Sequence, residues 1–328
     1  MIQLFFSFIN AQNLPERTDT METSAPVKTD SSRKSSFDSL VVCLSLSVPA
    51  IYYGGISALK LIAVCLATVT VCEYALLKLI CKRNIASELS FIPSALAIAL
   101  LLPSDAPLYV AVAASVFSVA VAVFPFGSRL NTPFVPSACG IAFALTVFRN
   151  ELSYGNDLAF LISEGKVFSL DFFSVTDILS GNTDGAMGCT SLLTLMAVAV
   201  YLFIRKKESL IPTLGYILSA CLFAFIFPRV NSGRLSSVFL ELSAGSLVFT
   251  ALLLINDTVT VPENKLKGFI YGAAGGILAM LMRHTSPTLM PEIFSVLIMN
   301  ALLPAFTGET VNRKAAAVTR KERSTDEA

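Results

Sequence analysis

Phe91-Ile92-Pro93-Ser94-Ala95-Leu96-Ala97-Ile98-Ala99-Leu100-Leu101-Leu102-Pro103-Ser104-Asp105-Ala106-Pro107 is the stretch that decides how this chain folds. At 1.5 Å per residue the apolar run from Phe91 to Pro103 makes a helix of about 20 Å. The hydrocarbon core of a bilayer is about 30 Å thick. The run ends in Pro103-Ser104-Asp105-Ala106-Pro107, a helix stop. An apolar segment too short to cross and closed by prolines reads as a broken or half-length helix within a membrane protein.

The surrounding sequence supplies that membrane. Of 328 residues, 54% are hydrophobic and only 14% charged, where soluble domains carry about 25% charged residues. Ten apolar runs follow one another, at 38–57, 59–81, 91–103, 106–126, 133–149, 189–204, 209–227, 237–256, 267–283 and 290–306. The expected fold is an all-α integral membrane protein of about ten transmembrane helices. Residues 1–9 are apolar but lack a basic leader and a small-residue cleavage site, which makes a poor signal peptide, and Met21 stands as an alternative start. Residues 1–37 read as a disordered or peripheral cytoplasmic tail, and 307–328 as a basic cytoplasmic tail.

Two stretches inside the domain 38–306 share a layout. Ser94–Phe148 and Ser246–Phe306 each contain a short apolar run, a Pro/Asp break, a span, a polar turn and a last span. Five helices per copy invert the second relative to the first. The expected architecture is therefore two inverted five-helix repeats with broken half-helices, about 38–149 and 189–306, joined by an outer loop at 150–188. With the N-terminus inside, 18 of the 24 Lys and Arg fall on the inner side. That sets both termini in the cytoplasm. Lys60, Arg149, Lys166, Arg229, Arg234 and Arg283 remain outside.

Near-zero net charge gives no reason to expect nucleic acid. The seven cysteines, Cys43, Cys65, Cys72, Cys81, Cys139, Cys189 and Cys221, include no C-x-x-C pair and no zinc or iron–sulfur spacing. His284, the single histidine, falls in an expected loop and builds no metal site alone. No G-x-G-x-x-G opens a βαβ unit, so the chain itself is not expected to bind NAD.

Chemistry concentrates at Asp184-Gly185-Ala186-Met187-Gly188-Cys189-Thr190, where the outer loop meets the sixth run. Gly185 and Gly188 permit tight turns and close backbone approach, and Thr190 is expected to begin the helix that runs to Ile204. A helix N-terminus favours a phosphate, and Asp184 is placed to orient a hydroxyl or bind a metal during attachment. The plain alternative is a helix cap, with Thr190 or Ser191 satisfying the first N–H groups. Elsewhere, Glu73 lies nine residues before Lys82, about 14 Å deep at 1.5 Å per residue, where a lone carboxylate costs on the order of 3 kcal/mol. It is expected to be protonated, paired or facing a polar cavity. Glu241, Asp257 and Glu292 lie near run ends, where snorkelling or helix capping accounts for them. In the sharper reading Glu73 and Asp257 belong to an ion or proton path.

The segment 184–190 resembles the D-G-x-S-G-A-T pattern at which a flavin transferase attaches FMN to threonine in the RnfD/NqrB family. Its members are the RnfD membrane protein of Rnf electron-transport complexes and its relative NqrB of the sodium-pumping NADH:quinone reductase. Asp184, Gly185, Gly188 and Thr190 match; Met187 stands where Ser is usual and Cys189 where Ala is usual. Ser94–Pro103 resembles the family's short helix ending in Leu-Pro. Phe126–Pro133 is similar to its Gly-rich turn, with Thr132 intervening after Asn131. Asn256–Pro262 resembles T-D-x-V-T-x-P with Asn256 for the first Thr. Met299-Asn300-Ala301-Leu302-Leu303-Pro304 resembles the close of its last helix. The resemblance covers about 38–306 and is strongest to the Rnf-type member.

It implies covalent FMN on Thr190, with Asp184, Gly185, Gly188, Asn131 and Asp257 as cofactor-binding residues, and a second flavin, riboflavin or another, held without a covalent bond. The implied role is a redox subunit of an ion-translocating ferredoxin:NAD oxidoreductase in the bacterial inner membrane, not a complete enzyme. It relays electrons and couples them to Na⁺ or H⁺ movement. Ferredoxin-, NAD- and flavin-binding subunits and a flavin transferase are the implied partners. The rival readings are the NqrB component of the quinone reductase and a channel or transporter for a small solute, which the same inverted layout serves equally well.

Overall fold

The computed structural model describes residues 27–76, 91–126, 132–152, 175–205, 210–229, 233–256, 262, 264–285 and 289–307. Among them there is no strand, only one isolated bridge between Pro103 and Ala186. The chain is a bundle of apolar helices. In order they are α1 (Val27–Ala75), α2 (Phe91–Leu101), α3 (Leu108–Phe117, prolonged by a π-turn over Ser118–Val123), α4 (Pro136–Val147), the short α5 (Val175–Ser180), α6 (Leu192–Arg205), α7 (Ile211–Ile226), α8 (Arg234–Ser243), α9 (Leu247–Phe249, prolonged by a π-turn over Thr250–Leu254), α10 (Lys265–Thr285) and α11 (Pro291–Thr307).

Each of the ten apolar runs contains helix, but the lengths are uneven. The apolar part of α1, Ser36–Ala75, is 40 residues, or about 60 Å, twice the thickness of a bilayer core. It divides at Gly55 (φ 59, ψ −143), a conformation open to glycine and closed to most other residues. The first two runs thus meet at one residue. Helix α1 also begins at Val27, so residues 27–36, expected within the disordered tail, are helical: propagation from an established helix adds one hydrogen bond per residue ordered. Of the other helices, α10 is long and apolar enough to cross a membrane, and α8 with α9 passes the same test as a pair bent by 68°. The eighth run is therefore broken within its length, at Ala244–Ser246. Six further helices are apolar but only 10–17 residues long. His284 lies in the last turn of α10 and not in a loop, its ring nitrogens 2.8 Å from the Met280 carbonyl and 3.0 Å from that of Phe227.

The half-length helix α2 is buried along nearly its whole length, as an element apolar on all sides must be. It packs on α1, α3 and α4. In the other half α10 packs on α7 almost backbone to backbone. A Cβ added at Gly215 would meet the Phe269 carbonyl, and one at Gly272 the Pro212 carbonyl. Small residues permit this approach between membrane helices. Helix α3 packs on α4 as α10 packs on α11, and α2 on α4 as the π-turn after α9 packs on α11. Buried polar groups pair across these contacts, with Tyr271 Oη donating to Asn300 Oδ1 at 2.9 Å.

Candidate functional site

The loop between α5 and α6 is held against the broken end of α2. A helix leaves its last carbonyls without intrahelical partners, and here the loop supplies them. Gly188 N–H donates to Leu100 O at 2.7 Å and Met187 N–H to Leu102 O at 3.1 Å. Gly188 is needed for this approach, because a Cβ there would lie 2.7 Å from Leu100 Cβ and 3.2 Å from Leu100 O. Its close backbone approach is thus to α2. Gly185, at φ 149, turns the loop ahead of this contact.

Helix α6 starts two residues later than expected, at Leu192. Ser191 is the cap: its Oγ accepts from Thr194 N–H at 3.4 Å and lies 3.0 Å from Thr194 Oγ1. Thr190 is not consumed by capping. Its half-buried hydroxyl donates to Met187 O at 3.3 Å, and the residue lines a cavity of about 370 Å³. One wall comes from α1 at its Gly55 division (Ala50, Tyr53, Gly54), a second from the segment after α2 (Pro103, Ser104, Asp105), and a third from the loop at 181–185 with Met187 and Thr190.

Among the described residues, this wall carries two carboxylates, Asp105 and Asp184, and no Lys, Arg or His. Such a wall does not attract a free phosphate by charge. Met187 and Cys189 are packing residues: each is 4% exposed, Met187 Sδ lies 3.8 Å from where a Gly54 Cβ would stand, and Cys189 is outside the cavity lining.

The other expected site residues are not gathered here. Gly188 faces Leu100 and does not line the cavity. Glu73 is buried and lies 18 residues beyond Gly55, about 27 Å along α1. Asn131 and Asp257 lie outside the described residues. Among the described residues, no group of three or more His, Cys, Asp or Glu is placed to hold a metal ion.

A second polar cluster corrects the expectation that Glu241 and Glu292 snorkel or cap helices. Both are buried, at 2% and 0% exposure, around Arg283 at 3%. Arg283 Nη1 donates to Glu241 Oε2 at 2.8 Å and Nη2 to Ala244 O at 2.8 Å. Its Nε and Nη2 both pair with Glu292 Oε1. Arg229 Nε donates to Glu241 Oε1 at 2.6 Å, and Ser246 Oγ to Glu292 Oε2 at 3.0 Å. The guanidinium thereby also closes the carbonyl end of α8, where the 68° bend frees backbone groups from helical pairing. The sequence holds a usable signal: Arg229 and Arg283 are among the few basic residues expected on the outer side, and two acids lie near run ends on that same expected side.

A model of the NQR2, RnfD, RnfE family matches residues 21–316. The chain is similar to the D component of a Na⁺-translocating ferredoxin:NAD⁺ oxidoreductase complex from Acetobacterium woodii, 24% identical over 312 residues, 90% of this chain and 94% of the relative. It is likewise similar to the D component of a proton-translocating ferredoxin:NAD⁺ oxidoreductase complex from Clostridium ljungdahlii, 26% identical over 286 residues, 80% of this chain and 86% of the relative. A weaker similarity, to the B component of a Na⁺-translocating NADH-quinone reductase from Chlamydia felis, is 25% identical over 162 residues, 45% of this chain and 32% of the relative.

Proposed function

The chain belongs to the NQR2, RnfD, RnfE family, and on that premise we propose that it is the flavin-carrying membrane subunit of an Rnf-type ferredoxin:NAD oxidoreductase. Near end-to-end similarity to two D components, against a partial match to a B component, supports the D-type assignment. Family membership favours this redox role over a solute channel built on the same helices. The partners are then the other subunits of such a complex, with a flavin transferase acting on this one.

The observation that carries the flavin reading is the division of labour between neighbouring hydroxyls: Ser191 caps α6 while Thr190 faces the cavity. FMN joined through its phosphate to Thr190 supplies one- and two-electron transfer at the membrane surface. Asp184 and Gly185 shape the loop around it, and Gly188 anchors that loop to α2. In the topology with both termini cytoplasmic, the Gly55 division, the end of α2 and Thr190 share the outer face. The ion pair of Asp38 with Arg205, at 3.1 Å, falls at the inner ends of α1 and α6. The matching helix contacts of the two halves support two inverted repeats, and the family resemblance implies a second, non-covalent flavin. The burial of Glu73 supports an ion path.

The test is direct. The full chain, co-expressed with a flavin transferase, is denatured and run on a gel under flavin-exciting light. The wild type fluoresces and Thr190→Val is dark. A dark wild type, or a Thr190→Val band as bright as wild type, removes the assignment.

A further inference from the structure

We propose that Tyr53 is the aromatic platform on which the ring of a flavin tethered at Thr190 rests; this builds on the Thr190 reading. A flavin held through its phosphate stands off from the hydroxyl by its ribityl arm, which brings its ring within reach of a second wall of the cavity. That wall is α1 at Ala50, Tyr53 and Gly54, where Tyr53 is the one aromatic side chain among the described lining residues.

Adjacent tyrosines here do different things. Tyr52 is 79% exposed and stays outside the cavity lining, as an interfacial anchor does. Tyr53 is 43% exposed and lines the cavity. The two rings meet edge to face, with centroids 5.0 Å apart and planes at 88°, so Tyr52 buttresses Tyr53 and limits its rotation. Gly54 lets the segment after α2 close against α1 beside it: a Cβ there would lie 3.0 Å from Ser104 Cβ and 2.8 Å from Ala58 Cβ. Stacking on the phenol face positions the flavin ring at this wall.

The experiment uses the full chain co-expressed with a flavin transferase and purified in detergent. Covalent flavin is measured on the denaturing gel, and fluorescence of the native protein is expressed per attached flavin. A phenol stacked on a flavin quenches its fluorescence by electron transfer, whereas a phenyl ring of the same shape does so far less. Tyr53→Phe is therefore expected to carry as much flavin as wild type and to be severalfold brighter when native. Tyr53→Trp stays quenched, and Tyr52→Phe does not change. A bright wild-type gel band with unchanged native fluorescence in Tyr53→Phe overturns the platform and leaves Thr190 standing. A wild-type band that is dark overturns the Thr190 reading and the platform with it.

Discussion

Replacing Arg283 by methionine removes the centre of the buried ion cluster while keeping an unbranched side chain. The structure sets the cost. Glu241 keeps Arg229 at 2.6 Å. Glu292, fully buried, loses its guanidinium partner and keeps the Ser246 hydroxyl. The carbonyls of Glu241 and Ala244 lose a donor each. Removing one partner of a buried pair costs about 3–5 kcal/mol, because the other charge stays behind. At roughly 2 °C per kcal/mol for a chain of this size, the unfolding midpoint falls by about 6–10 °C. Thermal unfolding in detergent, followed by loss of the monodisperse peak on size exclusion, measures it. The double variant Arg283→Met/Glu292→Leu removes both charges and should recover part of the loss, since apolar replacements of whole buried pairs are often tolerated. A single variant within about 2 °C of wild type, or a double variant less stable than the single, refutes the claim that the cluster holds the α8–α9 bend by charge pairing.

Three further outcomes follow from the loop. Ser191→Ala removes the cap of α6 and should cost about 1 kcal/mol in thermal stability, while leaving in-gel flavin fluorescence intact. Gly188→Ala forces a Cβ against Leu100; a loss of about 1–3 kcal/mol with reduced flavin incorporation is expected, read by the same two assays. Thr190→Ser keeps the hydroxyl and is expected to retain fluorescence that Thr190→Val loses.

Composition and apolar runs are enough to show which parts of the chain are helical, because burying apolar surface is a local demand that each run states for itself. Helix α2 begins at Phe91 and stops before Pro103 for reasons visible in its own residues. The motif around Thr190 is legible in the same way, as glycines and a hydroxyl at a helix start. Which hydroxyl caps the helix is not, because Ser191 and Thr190 are equivalent on paper and differ only in the direction their side chains leave the turn. Pairing is hidden too. Gly188 reads in the sequence as a glycine that permits a tight turn and close backbone approach, and only the fold shows that the approach is to Leu100. Glu241, Glu292 and Arg283 read as separate surface charges, and only the packing of α8, α10 and α11 brings them together. Sequence alone determined the apolar helices, the break after α2 and the candidate hydroxyl, since those depend on residues near one another in the chain. Only the tertiary structure decided that the Thr190 loop rests on the end of α2, that Tyr53 shares its cavity and that the bend after α8 is closed by a buried guanidinium. Each of these depends on a partner from another helix, and no local pattern specifies that partner.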